Sequence, residues 1–127
     1  MRPLRIVVVE DDVMIGPLLA ETLEDLGHIV CAVELNGVNA VAAVVRSLPD
    51  LVIVDIGLGE DVGVAVVRDI VAGGFAPHVF VMGDALHDLP LGPSVVQIQR
   101  PFRAADVAAA IQREILGATG HKADWLL

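Results

Sequence analysis

Basic side chains are scarce in this sequence. Eight of them, with Lys122 the only lysine, stand against seventeen acids, for a net charge of −9 and a pI near 4.6. Nucleic-acid binding draws on Lys and Arg to neutralise phosphates, so direct contact with DNA or RNA is not expected. Cysteine occurs once, as Cys31 inside the apolar run 29–33, which excludes an internal disulfide and a cysteine-based metal cluster and reads as core. No apolar run approaches the roughly eighteen residues of a membrane span. The N-terminal Met1-Arg2-Pro3-Leu4-Arg5 leads into a short apolar run and then into acids, with no signal-peptide pattern. A cytoplasmic protein without a membrane partner is therefore expected. Tyrosine is absent, and threonine occurs only as Thr22 and Thr119. What is abundant is apolar: 55% hydrophobic residues and a mean hydropathy of +0.71 exclude intrinsic disorder. The 127 residues suit one domain, without the roughly 50 further residues a second module needs.

Short apolar runs alternate with amphipathic stretches. Ile6–Val9, Ile29–Val33, Leu51–Val54, Val79–Met82 and Val95–Ile98 read as strands, β-branched as strands buried on both faces are. Val13–Leu26, Val38–Leu48, Val62–Val71 and Ala105–Leu116 read as helices. Gly27, Pro49 and Gly73-Gly74 stand where the first three should end. The alternation predicts an α/β fold, a flavodoxin-like doubly wound parallel sheet of strand order 2-1-3-4-5. The segment 83–94 carries two prolines and two glycines, so the helix between strands four and five is expected to be short or missing. Residues 1–116 form the expected domain and 117–127 a C-terminal tail.

In such sheets the site lies at the carboxyl ends of the strands, beside the switch point between strands one and three. Strand one ends in Glu10-Asp11-Asp12 and strand three in Asp55. Asp12 alone fits a helix cap, but Asp55 closes an apolar strand with no helix directly after it. If strands one and three are neighbours, Glu10, Asp11 and Asp55 converge, and carboxylates that face each other need a cation. A hard ion such as Mg²⁺ suits carboxylate, carbonyl and water ligands. A metal beside a strand-tip aspartate points to phosphoryl transfer through an aspartyl-phosphate. Arg100, at the end of strand five, is placed to supply a further positive charge.

Val7-Val8-Val9-Glu10-Asp11-Asp12, Asp50-Leu51-Val52-Ile53-Val54-Asp55, Gly63 and Arg100-Pro101-Phe102 stand in the order and spacing of one known family. On these pieces the chain, over residues 5 to about 116, resembles the receiver domain of a two-component response regulator. The resemblance implies Asp55 as phosphoacceptor, supplied by a histidine kinase or a histidine phosphotransfer protein. It implies Mg²⁺ as cofactor, held by Asp11, Asp55 and the backbone carbonyl of Gly57 and oriented through water by Glu10. Arg100 stands where the family has a phosphate-contacting lysine, and the Gly83 backbone N–H is expected near the phosphate. Output by contact with a downstream protein follows, and a homodimer is compatible with it. The implied role is a signalling module rather than an enzyme.

Three departures from the family pattern are plain. Met82 occupies the position of the switching Ser or Thr, Arg100 replaces the lysine, and Gln97 occupies the position of the switch aromatic. A pseudo-receiver, with the same fold serving as a phosphorylation-independent interaction module, is the main alternative. Dinucleotide binding is disfavoured because Gly57-Leu58-Gly59 with Gly63 has the wrong spacing and follows the wrong strand. Metal-dependent hydrolysis is disfavoured because Gly57, two residues after Asp55, is not a second acid. The histidines His28, His78, His87 and His121 are scattered without ligand spacing and are expected in loops or on the surface.

Overall fold

The five apolar runs form strands: β1 Arg5–Val9, β2 Ile29–Glu34, β3 Leu51–Asp55, β4 His78–Gly83 and β5 Val95–Gln99. They pair in parallel in the order β2-β1-β3-β4-β5, as the alternation predicts. The computed structural model describes residues 2–55, 60–83, 95–99 and 103–116. Of the irregular segment expected at 83–94, Gly83 ends β4 instead, and residues 84–94 lie outside the described residues, as does the tail 117–127. Four helices are described: α1 Ile15–Asp25, α2 Gly37–Ser47, α3 Glu60–Gly73 and α4 Ala104–Ile111, the last continuing as a π-helical turn over Gln112–Leu116. None is long and apolar enough to cross a membrane.

The strand period of two divides the core into two layers. Val7, Val9, Val52, Val54, Val79 and Val81 point to one face, where Ala40, Ala43 and Val44 of α2 and Val64, Val67 and Ile70 of α3 cover them. Ile6, Val8, Leu51, Ile53, Phe80 and Met82 point to the other, beneath Leu19 and Leu23 of α1 and Val107, Ile111 and Ile115. Burial on both sides explains why the central strands are apolar throughout instead of alternating. At the edge, the β1–β2 register slips between Ile6 and Val7. The resulting bulge turns both Cys31 and Ala32 toward the α2/α3 layer.

Helix ends follow local chemistry. Asp12 starts α1 two residues early: its Oδ1 accepts from the N–H groups of Met14 (2.8 Å) and Ile15 (3.1 Å), and its carbonyl from that of Gly16 (3.3 Å). At the other end Gly27 is left-handed, with its N–H bonded to the Glu24 carbonyl and that of His28 to the Leu23 carbonyl. Gly74 closes α3 by the same paired bonds, to Val71 and from Phe75 to Ile70. His28 departs from the surface position expected of it. It is buried, and its Nδ1 accepts from the Leu4 N–H at 3.0 Å. Burial pushes its pKa below the usual imidazole value, which keeps that nitrogen free of a proton.

Helix α2 ends differently, on Leu48 at φ 47, the one non-glycine residue with positive φ among those described. Its N–H bonds the Val44 carbonyl, and Arg5 Nη1 binds the exposed carbonyls of Ser47 (2.7 Å) and Leu48 (3.4 Å). A left-handed leucine costs roughly 1–2 kcal/mol that glycine does not incur, and Leu48 is 61% exposed, so little burial is lost on truncation. Leu48→Gly should raise stability by about 0.5–1 kcal/mol after glycine's unfolded-chain entropy is subtracted. Chemical denaturation measures this as a higher midpoint at unchanged slope.

Candidate functional site at the tips of strands one and three

Strands β1 and β3 are neighbours, with Val9 registered against Val54, so the acids that follow them emerge side by side. The backbone at Glu10 is fixed because its N–H continues the sheet to the Glu34 carbonyl at 2.9 Å. Its side chain is 3% exposed and lies under α1. Gly16 makes that possible: a Cβ there would stand 2.9 Å from Val33 Cγ1 and 3.4 Å from Glu10 Cβ, so any larger residue would lift the helix. Nothing in the local sequence marks Gly16 for this purpose, because the close approach exists only once the helix is docked.

Glu10 Oε1 accepts from the Asp12 N–H at 3.2 Å, whereas no donor reaches its buried Oε2. Burial first, then a hydrogen bond with Asp55 and the negative charges of Asp55 and Asp11, push its pKa from 4.5 to about 8. Two carboxylates hydrogen-bond each other only if one keeps a proton, so without a cation Glu10 is largely protonated at neutral pH. Asp55 closes β3 with its Oδ2 buried.

Asp11, which is exposed, turns the other way and lines a cavity of about 210 Å³ together with Asp55. Val9 and Val54 line it from the sheet, Leu35, Asn36 and Gly37 from the start of α2, and Gly63 and Val66 from α3. Asn36 also caps α2, its Oδ1 accepting from the Asn39 N–H at 2.9 Å. Asn36-Gly37 before an apolar periodic stretch is a readable cap signal, but nothing local marks it as the rim of a cavity. The three acids stand close enough to act on one another, in different surroundings. Asp11 and Asp55 line the cavity, and Glu10 sits behind Asp55. Among the described residues no three His, Cys, Asp or Glu form a ready-made metal cage. Two carboxylates on one wall and a third carboxyl buried beside them do fit a hard cation that keeps carbonyl and water ligands.

Met82 is the strand partner of Asp55 in β4, and it is fully buried on the same face as Phe80 and Ile53. A thioether offers no hydroxyl beside the carboxylate. Gly83, the last residue of β4, is buried, and Gln97 is exposed on β5 opposite Val81. Gly57 and Arg100 lie outside the described residues.

The pKa displacement of Glu10 has a definite sign for folding. The unfolded chain gives up this proton near pH 4.5 and the cation-free native protein near 8, so the native state binds more protons between these values. Its stability should therefore fall as pH rises through that window. Glu10→Gln keeps the shape without the charge and should flatten the dependence and raise stability at pH 8. Urea denaturation at pH 6 and pH 8 in a chelator compares the two proteins. Parallel pH profiles would show that Glu10 carries no displaced proton.

A family model described as response regulator receiver domain matches residues 6–91. The transcriptional regulatory protein PdtaR of Mycobacterium tuberculosis is 28% identical over 131 residues, covering 95% of this chain and 64% of PdtaR. The chain therefore spans a little under two thirds of that relative. Among solved structures, the PhyR response regulator receiver domain of Erythrobacter litoralis superposes with a TM-score of 0.75 at 23% identity, over 90% of this chain and 91% of that one. The signal receiver domain of a modulated diguanylate cyclase from Desulfovibrio desulfuricans G20 does so with a TM-score of 0.75 at 25% identity, over 95% of this chain and all (100%) of that one.

Proposed function

The chain belongs to the response regulator receiver domain family, and we propose that it accepts a phosphoryl group on Asp55 in a Mg²⁺-dependent two-component or phosphorelay pathway. The observation that carries this reading is the Glu10–Asp55 pair. Two carboxyl groups pressed together out of water, which must share a proton or a cation, have no packing purpose. A site used for cation-assisted phosphoryl transfer accounts for them.

In this reading an Asp55 oxygen attacks the phosphorus of a phosphohistidine. The new P–O bond forms as the P–N bond breaks, and the imidazole leaves with a proton from solvent. Asp11, Asp55 and the Gly57 carbonyl would hold Mg²⁺, with Glu10 orienting it through water. Bound there, the ion neutralises charge on the phosphoryl oxygens. Arg100 would contact the phosphate in place of a lysine, bidentately because its guanidinium is planar, and the Gly83 N–H would add a backbone contact. Val13, Met14 and Leu18, exposed at the pocket end of α1, offer the phosphodonor protein an apolar landing beside the acids. The function is signalling in the cytoplasm, and the output passes to a downstream protein by contact.

One observation favours the pseudo-receiver reading: buried Met82 beside Asp55 leaves no hydroxyl to carry a phosphorylation-driven shift. A single experiment divides the two. Incubated with Mg²⁺ and acetyl phosphate, the protein should gain the mass of one phosphoryl group, and Asp55→Asn should not. Absence of the adduct with acetyl phosphate and with phosphorylated histidine donors alike would establish the pseudo-receiver.

A further inference from the structure

We infer that the outward face of α2 is a self-association surface, on which a second copy of this chain docks in an antiparallel, two-fold contact. The helix buries Ala40, Ala43 and Val44 against the sheet, so its solvent face should be polar. Asn39 and Arg46 are exposed there as expected, but beside them Val38 is 83% exposed, Val45 is 45% exposed, and Ala42 lies exposed between the two valines. At 100° per residue these three fall within a 60° arc, forming one apolar line along the helix. Leu35 before the helix and Leu48 after it, both exposed, extend the line at either end.

Charge selects the occupant. The chain carries −9, so two copies repel over most of their surface. None of the seventeen acids lies between Glu34 and Asp50, and the one charge in that stretch is Arg46. Helix α2 is thus the described helix that two copies can bring together without opposing carboxylates. The other exposed apolar end, on α1, continues into Glu21, Glu24 and Asp25, which would repel a second copy and suit a basic partner instead. A two-fold axis midway between Val41 and Ala42 lays Val38 of each copy over Val45 of the other, and the small Ala42 side chain beside the crossing lets the helices approach closely. The helix dipoles then run antiparallel.

Eleven residues span about 16 Å, so this contact buries well under the roughly 800 Å² per partner of a standard interface. The dimer is accordingly weak and concentration-dependent, with Kd between about 10 μM and 1 mM. Sedimentation equilibrium of the full chain across that range should show the mass rising from one copy toward two. Val38→Glu, and Val38→Glu with Val45→Glu, should keep it a monomer throughout with circular dichroism unchanged. Leu18→Glu on α1 should leave the dimer intact. A wild-type protein that stays monomeric to about 1 mM overturns the inference. So does a dimer indifferent to Val38→Glu, or one abolished by Leu18→Glu.

Discussion

Two carboxyl groups held together at adjacent strand tips govern this structure. Glu10 and Asp55 are brought side by side by the β1–β3 pairing, and Glu10 is then shut away from water under α1. Like charges in so poorly solvated a place cannot both ionise without a counter-charge, so a proton or a cation must join them. Much of the surrounding structure serves to hold this arrangement. The sheet bond from Glu10 to Glu34 fixes the backbone, Gly16 admits the helix, and Asp12 closes the first turn of α1 while its N–H satisfies Glu10 Oε1. The site is electrostatically loaded before any ligand arrives.

The two-layer core separates the roles of the helices. On one face α1 and α4 cover the side that bears Met82 and buries Glu10. On the other α2 and α3 close the cavity in front of Asp11 and Asp55. Helix α2 therefore has three tasks: its first turn rims the cavity, its inner face completes the core, and its outer face is apolar. Met82 ties the site to the core instead of to a polar relay, because its side chain packs with Phe80 and Ile53 immediately beside the acceptor strand.

Much of this was legible in the residues. β-branched runs of strand length spaced by amphipathic stretches led to the sheet order, and Gly27 and Gly73-Gly74 marked helix ends because left-handed closure suits glycine. Asp12 was recognisable as a cap and Asp55 as something other than one. The failures have a common cause. His28 looks like any polar residue after a helix, yet the Leu4 N–H draws it inward. Leu48 carries no sign of a left-handed conformation, which the Arg5 bonds and the preceding helix impose on it. The acids do gather at the strand tips, but the sequence does not mark that Glu10 is buried while Asp11, its neighbour, is exposed along the cavity.

The sequence by itself determined the class of fold, the order of its strands, and which carboxylates would stand at their tips, because periodicity and turn chemistry act over a few residues. Tertiary structure alone decided that Glu10 lies buried beside Asp55 with its pKa raised, that Asp11 faces a cavity rimmed by α2, and that Val38, Ala42 and Val45 remain uncovered. Burial, and the pKa displacement it causes, depend on distant segments meeting in space, which no local pattern encodes.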